Sequence, residues 1–182
     1  MERIEKEFSV VFSAEQSPYF QVNEERRLAI SFNQIKGKAS FQQAFIRLLF
    51  GDESRIDVTF FKSYSSDNSK RFTCFEKKAL HQTIRIRNWR EDLVLKQDHD
   101  DFRLSYATVQ DIAPSDVLAY IRSIARGKKP SYIGFYNNRY LLTVDTDEFI
   151  VISKDSKDLN DVQNFIREMN GEESRWQKCI LA

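Results

Sequence analysis

The amino-acid sequence predicts an α+β fold, in which one domain over residues 1–182 has a mainly antiparallel sheet packed by about three helices. Two observations lead to this prediction. Three segments repeat apolar residues with the helical period, and the segments between them alternate apolar and polar residues or hold short β-branched and aromatic runs. The strands come in groups with short connections, which favours antiparallel pairing over the regular strand–helix alternation of a parallel sheet.

The three predicted helices have end signals as well as an apolar stripe. They open near Ser40, Pro114 and Asp158, and they end at Gly51, Gly127 and Gly171. A serine can cap the first turn, proline suits the start of a helix, and glycine accepts the left-handed conformation that follows many helix ends. These signals predict helices with sharp limits.

Strands are predicted wherever apolar residues recur at every second position. The segments are residues 8–12, 28–32, 56–60, 83–89, 102–108, 132–136, 140–144 and 149–152. Asn137 and Asn138 tolerate positive φ, so they suit a hairpin turn between two of these strands. The polar run at residues 63–70 is expected to be an exposed loop.

The composition is that of a globular domain with one core. Hydrophobic residues make up 41% and charged residues 30%, with 28 Lys plus Arg against 27 Asp plus Glu. These values exclude disorder, and the two distant cysteines exclude a disulfide scaffold. The charged N-terminus has no secretory apolar run, and no segment is apolar enough to cross a membrane. We therefore expect a cytoplasmic protein with no membrane partner.

No convincing catalytic or metal-binding set is present. The sequence has two histidines, so a nucleophile–histidine pair has few candidates. Asp57 precedes Glu76 and Lys78 with the spacing of some metal-dependent nucleases, but chance alone produces such triplets in a chain this charged. We predict no catalytic residues, no metal and no cofactor, and a small-molecule enzyme with a dispersed site stays open.

The charge is most uneven between Lys70 and Arg90, where seven Lys or Arg residues stand against one Glu. A strand over residues 83–89 would place Arg85, Arg87 and Trp89 on one face. Such a stripe suits an acidic protein partner with an aromatic anchor, or phosphates with base stacking. The acidic run that follows, residues 91–101, could instead pair with the basic segment across neighbouring strands.

Tyrosines surround the predicted hairpin turn, and tyrosine is favoured in recognition surfaces. The predicted partner-binding residues are Arg85, Arg87, Trp89, Tyr136 and Tyr140. Core packing is the alternative role for these rings.

The leading functional hypothesis is a non-enzymatic protein that binds a protein partner directly, such as an inhibitor, an immunity or antitoxin protein, or a phage counter-defence protein. The alternative is a protein that binds or processes nucleic acid through the basic segment 70–90, with Lys77, Lys78, His81, Arg85 and Arg87 as contacts. That alternative gains weight if the second basic group, at residues 122–129, shares the same surface.

Overall fold

The computed structural model describes residues 1–51, 55–66, 69–74, 83–84, 89–97 and 101–180. Within these residues there are five α-helices: α1 Glu2–Phe8, α2 Phe32–Ile35, α3 Ala39–Phe50, α4 Pro114–Ala125 and α5 Ser156–Ile180. The eight strands are β1 Arg27–Ser31, β2 Ile56–Ser66, β3 Ser69–Cys74, β4 Trp89–Gln97, β5 Asp101–Ile112, β6 Ile133–Tyr136, β7 Tyr140–Val144 and β8 Glu148–Ser153.

All eight strands form one sheet in which every pairing is antiparallel. Seven follow the order β1-β8-β7-β6-β2-β5-β4, and β3 pairs with β2 beside this path. The long strand β2 is central, because it pairs with β5 along one edge and with β6 and β3 along the other. The predicted α+β fold with a mainly antiparallel sheet is thereby confirmed.

Each face of the sheet carries its own apolar core. On one face, α2 to α5 pack over strand residues such as Val58, Val109 and Leu142. On the other face, α1 and the chain that follows it pack over Tyr106, Tyr136 and Leu141. The sheet is therefore covered on both sides, which explains why β6 is buried at all four positions.

The three predicted helices are present as α3, α4 and α5. Gly127 has φ 88, so it takes the left-handed conformation expected after α4. The third helix begins two residues before Asp158 and continues through Gly171 to Ile180. Glycine inside a helix costs only about 1 kcal/mol, which the remaining turns of a long helix can offset.

The prediction of a strand at residues 8–12 was wrong. Residues 2–8 form α1, and Ser9 turns the chain out of it with φ 60. Phe8, Val10 and Phe12 are nevertheless buried, because this segment lies across the face of the sheet instead of joining its edge. The alternation of apolar and polar residues therefore predicted which side chains are buried, but not that this segment stays outside the sheet.

The predicted loop at residues 63–70 is largely strand. β2 runs to Ser66 and β3 begins at Ser69, so only Asp67 and Asn68 remain between them, outside the described residues. Ser63 and Ser65 are buried on one side of β2, and strand pairing satisfies their backbone groups. No helix in the described residues has both the length and the apolar character that crossing a membrane requires.

Candidate partner-binding surface

Strand β4 forms one edge of the sheet and carries two exposed apolar side chains. In the described part of the chain it pairs with β5 alone, with Trp89 opposite Val109 and Leu93 opposite Ser105. Because side chains alternate along a strand, Trp89 and Leu93 point to the same face. Trp89 is 47% exposed and Leu93 is 67% exposed. We call Trp89, Leu93 and Glu91 between them the β4 surface.

A β-bulge in β2 places a lysine over this surface. Phe61 pairs with Tyr106 and Ser63 pairs with Ser105, so Lys62 is an extra residue on β2. The Lys62 ammonium lies 4.3 Å from the centre of the Trp89 ring. It also donates to Glu91 Oε2 at 2.6 Å. The lysine thus contacts both the aromatic ring and the neighbouring carboxylate.

Glu91 is the centre of this small network. Its Oε1 atom accepts a hydrogen bond from Ser105 Oγ, while Oε2 accepts from Lys62. These two hydrogen bonds, that from Lys62 first, hold the pKa of Glu91 below its ordinary value against the opposing effect of burial. At neutral pH the carboxylate is therefore ionised and neutralises the charge of the lysine above Trp89.

Arg90 and Asp92 point to the opposite face of β4 and interact with each other. Arg90 Nε lies 3.6 Å from Asp92 Oδ1, and the arginine side chain is 76% exposed. Asp92 Oδ2 also accepts from the N-terminal ammonium of Met1 at 3.0 Å, so two cations share this one carboxylate. Arg90 and Asp92 stand two positions apart on the same strand, so this contact does not test the predicted pairing of the basic and acidic segments across neighbouring strands.

The residues predicted from sequence divide into three groups. Trp89 is exposed, as expected of a contact residue. Tyr136 and Tyr140 are each 1% exposed, so the expectation that they contact a partner is corrected. The remaining predicted residues, Arg85, Arg87, Lys77, Lys78 and His81, lie outside the described residues.

The two buried tyrosines support the hairpin instead. The Tyr136 hydroxyl hydrogen-bonds with Thr59 Oγ1 at 3.2 Å, and burial is the main reason that its pKa is raised to about 12. The Tyr140 hydroxyl donates to the carbonyl of Asp158 at 3.1 Å, which joins β7 to α5. Their rings belong to the apolar cores on the two faces of the sheet.

Asp57, the first residue of the nuclease-like spacing, is engaged with arginine side chains. Its carboxylate is 2% exposed, accepts from Arg3 Nη1 at 2.6 Å and lies 3.6 Å from Arg55 Nε. Glu76 and Lys78 lie outside the described residues. The described residues contain no group of three His, Cys, Asp or Glu side chains that could hold a metal ion.

Sequence reasoning missed Leu93, Glu91 and Lys62. The run 91–101 was interpreted by its charge, although Leu93, Val94 and Leu95 within it indicate a strand and share β-type patterning with Trp89. Lys62 carries no such signal, because its position above Trp89 depends on a bulge and on pairing through β5.

Comparisons with family models, with curated proteins and with solved structures gave no match to this chain.

Proposed function

We propose that this chain is a cytoplasmic protein-binding module that acts by direct contact, in the manner of an inhibitor, immunity or antitoxin protein. In this proposal, Trp89 and Leu93 are the centre of the contact. The observation that carries it is the exposure of two large apolar side chains on one face of an edge strand, at 47% and 67%. Clustered exposed apolar side chains on soluble proteins mark interaction sites more often than single ones do.

The energetics of the β4 surface suit a protein interface. Tryptophan is among the residues that contribute most when an interface forms, because it buries a large area with few rotatable bonds. Lys62 lies against the indole and is itself fixed by Glu91 at 2.6 Å, which limits the freedom of the ring before binding. A side chain that is already ordered loses less entropy on association.

The charges near Trp89 favour a protein partner over nucleic acid. Binding to phosphates depends on cations that exchange counterions for the nucleic acid backbone. On the face of β4 that carries Trp89, Lys62 already has a carboxylate partner in Glu91. A partner that covers Trp89 and Leu93 can bury apolar area and leave the Lys62–Glu91 ion pair, which lies between them, intact.

The test is quantitative affinity capture from nuclease-treated lysate of the source cells, at about 50 and 200 mM salt. Three proteins serve as bait: the parent, the double variant Trp89→Ser with Leu93→Ser, and Phe20→Ser. Phe20 is 62% exposed and lies near β1 at the opposite edge of the sheet, so its variant removes exposed apolar area away from β4.

We expect one protein to be retained by the parent and by Phe20→Ser at both salt concentrations, and to be lost with the double variant. The same set of captured proteins on all three baits would overturn the assignment to β4. The parent is also tested with lysate that has not been treated with nuclease. If it retains nucleic acid at about 50 mM salt but not at about 200 mM, and captures no protein, the nucleic-acid alternative is favoured.

A further inference from the structure

A small cavity lies on a different part of the molecule, between the 3₁₀ turn Pro18–Gln21, the loop before β6 and the turn between β7 and β8. Its volume is about 230 Å³. This is below the roughly 300 to 1,000 Å³ of pockets that hold drug-sized ligands. The size fits one amino-acid side chain.

Part of the cavity wall is apolar and fixed in place. Pro18, Pro130 and Tyr132 line it, and Tyr132 is 41% exposed. The Tyr132 ring packs against Phe12 with ring centres 4.6 Å apart, and its hydroxyl donates to the Phe12 carbonyl at 2.9 Å. The anchored ring and the two prolines offer a rigid surface for the aliphatic part of a side chain.

The charged residues described in the cavity wall are all acidic. Asp145 and Glu148 line it, and no Lys, Arg or His is among the lining residues that the structure describes. Asp145 is oriented by accepting from the backbone N–H and the hydroxyl of Thr146, while Glu148 is exposed at the start of β8. Lys128 and Lys129, which precede Pro130 in the chain, do not line the cavity.

We propose that this cavity binds a lysine or arginine side chain of a partner polypeptide. The aliphatic stem lies against Tyr132 and the two prolines, and the cationic end group contacts Asp145 and Glu148. Charge complementarity and size select this occupant: two acidic residues line a space that one long side chain fills. The proposal goes beyond the function proposed for β4 and uses none of its residues.

The test uses small probes and therefore requires no knowledge of the partner. N-acetyl-lysine-N-methylamide, its arginine analogue and its norleucine analogue are titrated into nitrogen-15-labelled protein, and amide shifts are followed by NMR. We expect saturable shifts at residues 131–133 and 143–148 with the lysine and arginine probes. The norleucine probe, which keeps the stem but lacks the charge, should bind about ninefold more weakly, with about threefold for each of two partly exposed ion pairs.

Two matched variants test whether the charge of Glu148 contributes to binding of the lysine probe. Glu148→Gln should weaken the lysine probe about threefold, as for one exposed ion pair, and leave the norleucine probe unchanged. Glu25→Gln, at an exposed carboxylate that does not line the cavity, should change neither. Absence of saturable shifts at these amides, or equal affinity for the lysine and norleucine probes, would overturn the proposal whatever the lysate experiment on β4 finds.

Discussion

Trp89 and Tyr136 are aromatic residues of the same sheet that meet opposite environments. Tyr136 lies on β6, which has β2 on one side and β7 on the other, and the Arg3 guanidinium of α1 lies 5.5 Å above its ring. Trp89 lies on β4 at the end of the strand order. The tyrosine is 1% exposed and the tryptophan 47%. The position of a strand in the sheet, and not the nearness of a turn, decides whether a ring belongs to the core or to the surface.

The largest effect that tests this comparison is expected at Tyr136. Tyr136→Ala removes a fully buried ring and should lower the free energy of unfolding by about 3 to 5 kcal/mol, the range for aromatic-to-alanine changes in cores. Tyr136→Phe keeps the ring and loses only the hydrogen bond to Thr59, so it should cost about 1 kcal/mol. Urea denaturation of both variants measures the difference. A loss below about 1 kcal/mol for Tyr136→Ala would show that the ring is not part of the core.

The next effect concerns the ion pair that holds α1 on the central strand. Arg3→Met removes the guanidinium 2.6 Å from the buried carboxylate of Asp57 and leaves Arg55 at 3.6 Å. Loss of one partner of a buried pair costs about 3 to 5 kcal/mol, and the partial exposure of Arg3 reduces the expected loss to about 2 kcal/mol. In a double-mutant cycle with Asp57→Asn, the second change should cost much less in the Arg3→Met background. Additive losses would mean that the two side chains do not interact.

The sequence predicted the three longest helices, α3, α4 and α5, because their information is local. The apolar stripes of α3 and α4 and the glycine after α4 are readable from neighbouring residues. The N-terminal segment shows where such patterns stop being sufficient. Phe8, Val10 and Phe12 alternate as in a strand and are buried as in a strand, but Ile4 and Phe8 share a helical face and α1 forms instead.

The candidate site was predictable only in part, because it depends on strand order. Trp89 was identified from its neighbours in sequence, whereas Tyr136 and Tyr140 were assigned to the surface because they lie beside a turn. Only the full order of the strands makes β6 and β7 central and β4 an edge. The contact between Lys62 and Glu91 spans 29 positions in sequence and requires both the bulge in β2 and the pairing through β5.

A smaller effect is expected at Glu91, within the β4 surface. Because its pKa is lowered in the folded protein, its contribution to stability is present above its ordinary value of 4.5 and is lost as the pH falls through the folded pKa. Glu91→Gln should therefore lower the free energy of unfolding by at most about 1 kcal/mol at pH 7, since the pair with Lys62 is partly exposed and screened. Urea denaturation of parent and variant at several pH values measures this difference. It should shrink in acid; a difference that grows in acid would contradict the lowered pKa.

The smallest effect on stability is expected at Leu93, where the contrast between edge and centre is sharpest. Leu93→Ser alters a side chain that is 67% exposed, so the free energy of unfolding should stay within about 0.5 kcal/mol of the parent. Leu142→Ser changes the same residue type on the central strand β7, where it is 0% exposed, and should cost at least about 3 kcal/mol because it adds a buried hydroxyl to the lost apolar contacts. Thermal and urea denaturation of the two variants side by side make the measurement. If Leu93→Ser destabilises the fold as much as Leu142→Ser does, Leu93 is part of a core and not available to a partner. If Leu93→Ser leaves the free energy of unfolding unchanged and still abolishes capture of the partner, the exposure of Leu93 serves binding.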